Sequence, residues 1–131
     1  MVDIATDRSL VNDWRELLAR HATISCALER ELHGRHGLGM SEFEVLDRLV
    51  GTAEDKHRVQ ELADAVHLSQ SALSRVIGRL EREGLVSRSL CDQDRRGIWV
   101  CLTDEGRDRH TQAQPTQQEV LAELLHPSAV G

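Results

Sequence analysis

Apolar side chains recur at every third or fourth position along most of the chain, the spacing of helices that bury one face. This pattern predicts a first helix over about residues 7–33, which the three glycines of "HGRHGLG" then break. A second helix is predicted from Ser41, because Ser41 and Glu44 form an S-x-x-E capping box. A short third helix is predicted over about residues 58–66.

A fourth helix is predicted from the N-cap Ser69 to near Gly84, which has the position of a C-terminal glycine. After Gly84 the apolar period changes to two, and residues 85–90 and 97–103 are predicted to form two short strands. The polar segments "CDQDRRG", between the strands, and "GTAEDKH", before the third helix, are predicted to be loops.

Thr103 is predicted to cap a last helix, which Pro115 is expected to kink or break. After the first helix, the order of elements is then three helices, a hairpin and a further helix, with a tight turn at residues 67–68. The predicted fold is mainly α (α+β), a winged helix-turn-helix with a two-stranded β wing.

Charge is distributed unevenly along the 131 residues, which carry a formal net charge of −6. Between residues 69 and 97, six arginines stand against four acidic residues, while ten basic and eighteen acidic residues lie elsewhere. The location of charge bears on partners more than the total does. The acidic surplus therefore does not argue against a locally basic surface on the fourth helix and the hairpin.

The segment "LSQSALSRVIGRLEREGLV" places an outward stripe of Ser71, Arg75, Arg79 and Arg82 opposite an apolar face. In a helix-turn-helix, this helix enters the DNA major groove. Serine and glutamine side chains reach phosphates or base edges, and arginine forms bidentate contacts with guanine. The two adjacent arginines of the hairpin loop suit a phosphate or the narrow minor groove.

At these residues the chain resembles the MarR (multiple antibiotic resistance regulator) family. "VQELADAVHLSQSALSRVIGRLEREGLV" is similar to the family's helix-turn-helix and "DRRGIWVCLTDEG" to its wing, within a resemblance over about residues 38–106. It implies that Ser69, Gln70, Ser71, Ser74, Arg75 and Arg79 contact DNA from the recognition helix. It also implies that Arg96 is the wing-tip arginine, next to Arg95, and that Asp94 orients it.

The resemblance further implies a homodimer on a pseudo-palindromic double-stranded DNA operator. It implies a transcriptional regulator, expected to be a repressor released by a small-molecule or other effector. The effector pocket is expected between the first helix, the second helix and the last. Residues 1–131 are expected to form one MarR-like domain, with a DNA-binding part over about 38–103 and helical dimerisation parts over about 7–34 and 104–126. Because family members usually continue beyond the equivalent of Gly131, the dimer contact is expected to rest on the first helix and the segment around Pro115.

Alternative functions stay open at this point. Metal sensing would use Cys26, His33, His36 and His110, but their spacing matches known zinc sites loosely, so no metal and no cofactor are predicted. Redox sensing would use Cys26, Cys91 and Cys101, although small buried hydrophobes are the favoured interpretation and the chain has no tyrosine to assist a peroxide sensor. A winged-helix protein-interaction module without DNA binding is a further alternative.

Motifs of common enzyme classes, such as G-x-S-x-G, the P-loop and HExxH, are absent from the sequence, so an enzyme is not predicted. The N-terminus lacks the layout of a signal peptide, and no apolar run approaches the roughly 20 residues that span a bilayer. The expected location is cytoplasmic, without a membrane partner.

Overall fold

Helices and one small antiparallel sheet make up the computed structural model, which describes residues 7–91 and 94–127, with the backbone alone for residues 90, 91 and 94–96. The described helices are α1 (Arg8–His36), α2 (Met40–Val50), α3 (Val59–Val66), α4 (Gln70–Arg82) and α5 (Asp104–Leu125). The described strands are β1 (Lys56–Arg58), β2 (Val86–Cys91) and β3 (Asp94–Leu102), in the order β1-β3-β2.

The first helix begins as predicted and ends later. The carboxylate of Asp7 accepts the N–H of Ser9 at 2.9 Å and caps α1. The helix continues through Gly34 and ends at Gly37, which adopts the left-handed conformation with φ 68°. Gly34 inside a helix costs about 1 kcal/mol relative to alanine, so it does not by itself end a helix whose last turns pack on α5.

The capping box predicted for the second helix is wrong. Helix α2 begins at Met40 and has no side-chain cap at its N-cap residue; the Met40 N–H donates to the Glu29 carboxylate of α1 at 2.8 Å. Glu44 instead pairs with Arg48, its Oε1 lying 3.0 Å from the arginine Nε. A carboxylate eleven residues away thus replaces the local cap, because the turn at Gly39 brings α1 and α2 together.

The wing hairpin of β2 and β3 is confirmed, but the sheet has a third strand within the described residues. Strand β1 lies where the sequence predicted a polar loop, and it pairs with β3 so that His57 stands opposite Val100. Part of the predicted hairpin loop, residues 94–96, belongs to β3 by its backbone. The register places Cys101 opposite Ser87 and Cys91 opposite Asp94, so the two hairpin cysteines are too far apart to form a disulfide.

The core lies between the helices and the inner face of the sheet. Its fully buried members come from α1, α2, α3, α4 and the wing strand, for example Leu32, Phe43, Leu62, Ile77 and Val100. Helix α5 runs unbroken through Pro115, so the prediction of a break is wrong. Thr103 caps α5 as predicted, accepting the Gly106 N–H at 3.0 Å. Among the described helices, none has the length and apolarity to cross a membrane.

Candidate nucleic-acid interface

A tight turn orients α4 across the end of α3. His67 adopts the left-handed conformation at φ 58° and ends α3, and the N–H of Leu68 reaches back to the Ala63 carbonyl at 3.3 Å. Leu62 of α3 and Leu73 of α4 are both fully buried in the same core. The turn and this packing fix the direction of α4, which is how a helix-turn-helix presents its second helix.

Helix α4 has one buried apolar face and one exposed polar face. Its N-cap is Ser69, whose hydroxyl accepts the N–H of Ala72 at 3.1 Å. Its end is the left-handed Gly84, after which the N–H of Leu85 donates to the Leu80 carbonyl at 2.9 Å. The buried face comprises Leu73, Val76, Ile77 and Leu80. The predicted DNA-contacting residues are all exposed, with Ser71 and Arg75 opposite the buried face and Gln70 and Ser74 at its edge; the full set is Ser69, Gln70, Ser71, Ser74, Arg75 and Arg79.

A groove of about 650 Å³ separates α4 from the wing strands. Of the predicted residues, the structure brings Gln70 and Ser74 into its lining, together with Arg88 of β2 and Ile98 of β3. The other predicted residues of α4 are exposed but do not line this groove. The groove thus joins the start of α4 to the wing in one concave surface.

Arg88 is a groove residue that the sequence reasoning missed. In β2 it follows the buried Val86 by two positions, so both side chains point to the same face of the sheet. Val86 packs in the core, whereas Arg88 extends beyond it into the groove. The period-two pattern of this strand was a signal for that placement.

Carboxylates hold two of the surface arginines in place. The Nε of Arg79 lies 3.4 Å from Oε1 of Glu42 on α2, and the Nε of Arg88 lies 3.3 Å from Oε1 of Glu81 on α4. Within the described part of the chain, Arg75 has no ion pair. Among the described residues, the surface therefore combines Arg75, which has no acidic partner there, with two arginines whose Nε atoms face carboxylates.

The predicted wing contacts Asp94, Arg95 and Arg96 have side chains outside the described residues. The backbone of β3, which carries them, is described, and two cations of β1 lie over the ring of Trp99 on the same strand. The Lys56 Nζ lies 4.9 Å and the Arg58 Cζ 5.1 Å from the ring centroid. Cation–π contacts of this geometry stabilise the outer face of the sheet at the base of the wing.

The low-priority metal candidates are not brought together. Cys26 and His33 are exposed on α1, whereas the ring of His36 meets the Thr116 hydroxyl at 2.7 Å. His110 is buried, with Nε2 2.8 Å from Asp47 Oδ1 and its ring stacked on Phe43 at 5.2 Å. Across the described ranges, no group of three His, Cys, Asp or Glu side chains has metal-binding geometry.

The interpretation of Cys26 as a buried hydrophobe is wrong, since this free thiol is exposed.

The first half of α1 carries an uncovered apolar stripe. Trp14 and Leu17 are 57% and 60% exposed, and Leu10 and Leu18 continue the stripe at helical spacing. Large apolar side chains exposed together mark an interaction surface. The stripe lies on the helix that the sequence resemblance assigned to dimerisation.

Comparisons with known proteins agree with this geometry. A family model described as the MarR family matches residues 38–98. The fold is similar to Sco3205, a MarR family transcriptional regulator from Streptomyces coelicolor solved in complex with DNA (TM-score 0.85, 26% identity, 90% of this chain and 74% of that one). It is also similar to AbsC, a MarR family transcriptional regulator from the same organism (TM-score 0.81, 30% identity, 94% and 79% of the two chains). A mutant of MarR from E. coli, solved with operator DNA, matches at a TM-score of 0.77 and 25% identity, over 88% of this chain and 81% of that chain.

Proposed function

We propose that this chain, which belongs to the MarR family, is a dimeric transcriptional regulator that binds double-stranded DNA sequence-specifically. The observation that carries the proposal is the exposed polar face of α4 next to the groove that Arg88 and the wing strands border. Two relatives of this fold were solved with DNA, Sco3205 and the E. coli MarR mutant. The role is binding rather than catalysis, and it is exercised in the cytoplasm, where the operator lies.

The proposed contacts divide by position on α4. Residues at the start of a recognition helix approach base edges, so Gln70, Ser71 and Ser74 are assigned to the major-groove floor. Arg75, which is exposed and without an ion pair in the described residues, is assigned a bidentate contact with guanine. Ser69 and Arg79 are assigned to the flanking backbone. Asp94, Arg95 and Arg96 are proposed to place the wing on the minor groove.

The dimer follows from the uncovered stripe of α1. We propose that residues 7–34 and 104–126 form the dimerisation part and that residues 38–103 form the DNA-binding part. A two-fold axis through this arm places two α4 helices on half-sites roughly 34–36 Å apart, one turn of DNA. The operator is then a pseudo-palindrome, because each protomer presents the same residues.

Binding of a small-molecule effector, which we propose ends repression, is supported by a second cavity. About 460 Å³ of space lies between α1, α2 and α5, within the size of small-molecule sites. Its lining is mainly apolar, with Leu28, Phe43 and Leu121 at its base and Ser41 and Gln117 among its polar groups. An apolar ligand with one hydrogen-bonding end fits this chemistry, and its binding between the dimer arm and α2 would alter how α4 is presented.

Fluorescence anisotropy with a duplex selected by the protein from a random-sequence pool tests the function. The wild type is expected to bind the selected duplex at least about a thousandfold more tightly than a mixed-sequence duplex. Arg75→Ala should lower the affinity for the selected duplex by about 1–3 kcal/mol and relax the preference at one base pair of each half-site. Equal affinity for both duplexes would refute sequence-specific binding and favour a protein-interaction module.

A further inference from the structure

The carboxylate of Glu42 occupies an unusual place for an acidic side chain. Glu42 lies in the first turn of α2 and is 8% exposed, although α2 is not part of the proposed DNA surface. A buried carboxylate is costly unless it is paired. Its partner is the Nε of Arg79, on the exposed side of α4, at 3.4 Å.

The geometry of the pair leaves the far end of the arginine available. Guanidinium has five N–H donors in a rigid planar fork, and Nε carries one of them. The contact to Glu42 is an ion pair through Nε, which leaves donors of the two terminal amino groups for other partners. The Arg79 side chain is 53% exposed while that of Glu42 is 11% exposed, so the carboxylate is covered and the guanidinium is not.

A second carboxylate lies beside that of Glu42 at the start of α2. A Cβ placed on Gly39 would lie 3.1 Å from Oε1 of Glu42 and 3.1 Å from Oε1 of Glu29, so the two carboxylates flank this glycine. Glu29 is itself fixed by the Met40 N–H at 2.8 Å. Two carboxylates lie at the positive end of the α2 dipole, with Arg79 as the arginine paired to one of them.

We infer that Glu42 is a positioning residue for DNA binding, which holds Arg79 by their ion pair so that the exposed guanidinium meets the DNA. This inference rests on the proposed function and assigns a determinant on α2, outside the helix-turn-helix. Ordering a long side chain on binding costs the equivalent of roughly two- to tenfold in affinity. An arginine that Glu42 has already ordered avoids most of that cost.

The direction in which DNA affinity changes when Glu42 is replaced distinguishes positioning of Arg79 from a simple change in net charge. Removing a negative charge from a DNA-binding protein strengthens its attraction to phosphate. Positioning predicts the opposite for the selected duplex, since Arg79 then loses the backbone contact that fixes α4 in the register where base edges are read, a register that a mixed-sequence duplex does not impose. Separating Arg79 from Glu42 also costs free energy, because the carboxylate would then stay buried and unpaired.

The test measures affinity for the wild-type-selected duplex and for a mixed-sequence duplex by anisotropy, with thermal unfolding of each variant. Glu42→Gln is expected to bind the selected duplex roughly three- to tenfold more weakly, with unchanged or stronger binding of the mixed-sequence duplex. Glu44→Gln is the matched control: it removes a carboxylate–arginine pair on the same helix, and it should leave both affinities unchanged. In an Arg79→Ala background, Glu42→Gln should cause no further loss.

Glu42→Asp keeps the charge and withdraws the carboxylate by about 1.5 Å, one carbon–carbon bond. It is expected to weaken selected-duplex binding as Glu42→Gln does, and it decides the question if Glu42→Gln does not fold. Unchanged or tighter binding of the selected duplex by the folded variant, or an equal loss in the Arg79→Ala background, would overturn the inference. If the proposed function is wrong, the wild-type protein will select no duplex from the pool. That result appears before any variant is measured, so it is distinguishable from failure of this inference.

Discussion

Two glycines in helices of this protein are expected to respond in opposite ways to the same substitution. Gly106 lies in the first turn of α5, where the chain passes closely over the end of α4 and the start of β2. A Cβ at this position would lie 2.1 Å from the carbonyl oxygen of Leu85 and 2.8 Å from Cδ1 of Leu102. The Leu85 carbonyl also accepts the Thr103 N–H at 3.1 Å, so it is not free to withdraw.

The expected magnitude follows from these distances. Alanine in place of a helical glycine gains about 1 kcal/mol from propensity. Overpacking costs about 1–3 kcal/mol, and a methyl group overlapping a hydrogen-bonded carbonyl belongs at or above the upper end. Gly106→Ala should therefore lower the free energy of unfolding by about 2 kcal/mol. Gly34, inside α1, has no atom within 4 Å of its Cβ position, so Gly34→Ala should raise it by about 0.5–1 kcal/mol.

Urea unfolding followed by circular dichroism measures both changes, at one fixed protein concentration because dimer stability depends on it. The midpoint of Gly106→Ala should fall and that of Gly34→Ala should rise, with unchanged slopes. A Gly106→Ala protein as stable as the wild type would mean that α5 does not approach Leu85 this closely. A destabilised Gly34→Ala would mean that this part of α1 is covered in the dimer.

Three further outcomes are expected. Leu17→Glu, at the centre of the α1 stripe, should convert the dimer to a monomer in analytical ultracentrifugation; a persistent dimer at wild-type concentrations would place the interface elsewhere. Arg88→Ala should weaken DNA binding and lower the slope of log affinity against log salt by about 1, and an unchanged slope would remove Arg88 from the interface. The Ser9 hydroxyl, followed by the Ser9 N–H, lowers the pKa of Asp7 below its ordinary 3.8, so this cap stabilises α1 above that pH and the contribution is lost as pH falls further. Hydrogen exchange at the start of α1 should accelerate in that acid range for the wild type and not for Asp7→Asn, which caps without titrating; equal acceleration in both would argue against the cap.

Elements whose ends are set by nearby residues could be predicted from the sequence. The caps at Ser69 and Thr103 and the left-handed Gly84 all act within a few residues, and the structure has each in its predicted role. The cap of α2 and strand β1 could not be predicted, since each depends on a distant partner. Glu29 reaches Met40 across the α1–α2 turn, and three residues of β1 are too few to show an alternating pattern without β3 beside them.

On the candidate DNA surface too, some residues could be predicted from local sequence and others depend on distant partners. The polar face of α4 follows from helical period alone, because four apolar positions fix the opposite side. The side-chain direction of Arg88 could be predicted from the alternating pattern of β2, but no motif around it indicates a function. Glu42 was not detectable, since an acidic residue in the first turn of a helix normally serves the helix dipole. Its pairing with Arg79 depends on how α2 packs against α4.

Helix α2 connects the proposed dimer arm to the DNA surface. Glu29 of α1 holds its N-terminus, and α5 holds its middle through His110, which stacks on Phe43 and meets Asp47 at 2.8 Å. Phe43 also lines the 460 Å³ cavity. Because an eleven-residue helix packed on several sides moves as a unit, an occupant pressing on Phe43 would shift α2 together with Glu42. Arg79 would then lose its orientation at the same time as the two α4 helices change their separation, so one displacement would weaken both the contact and the register of the dimer on DNA.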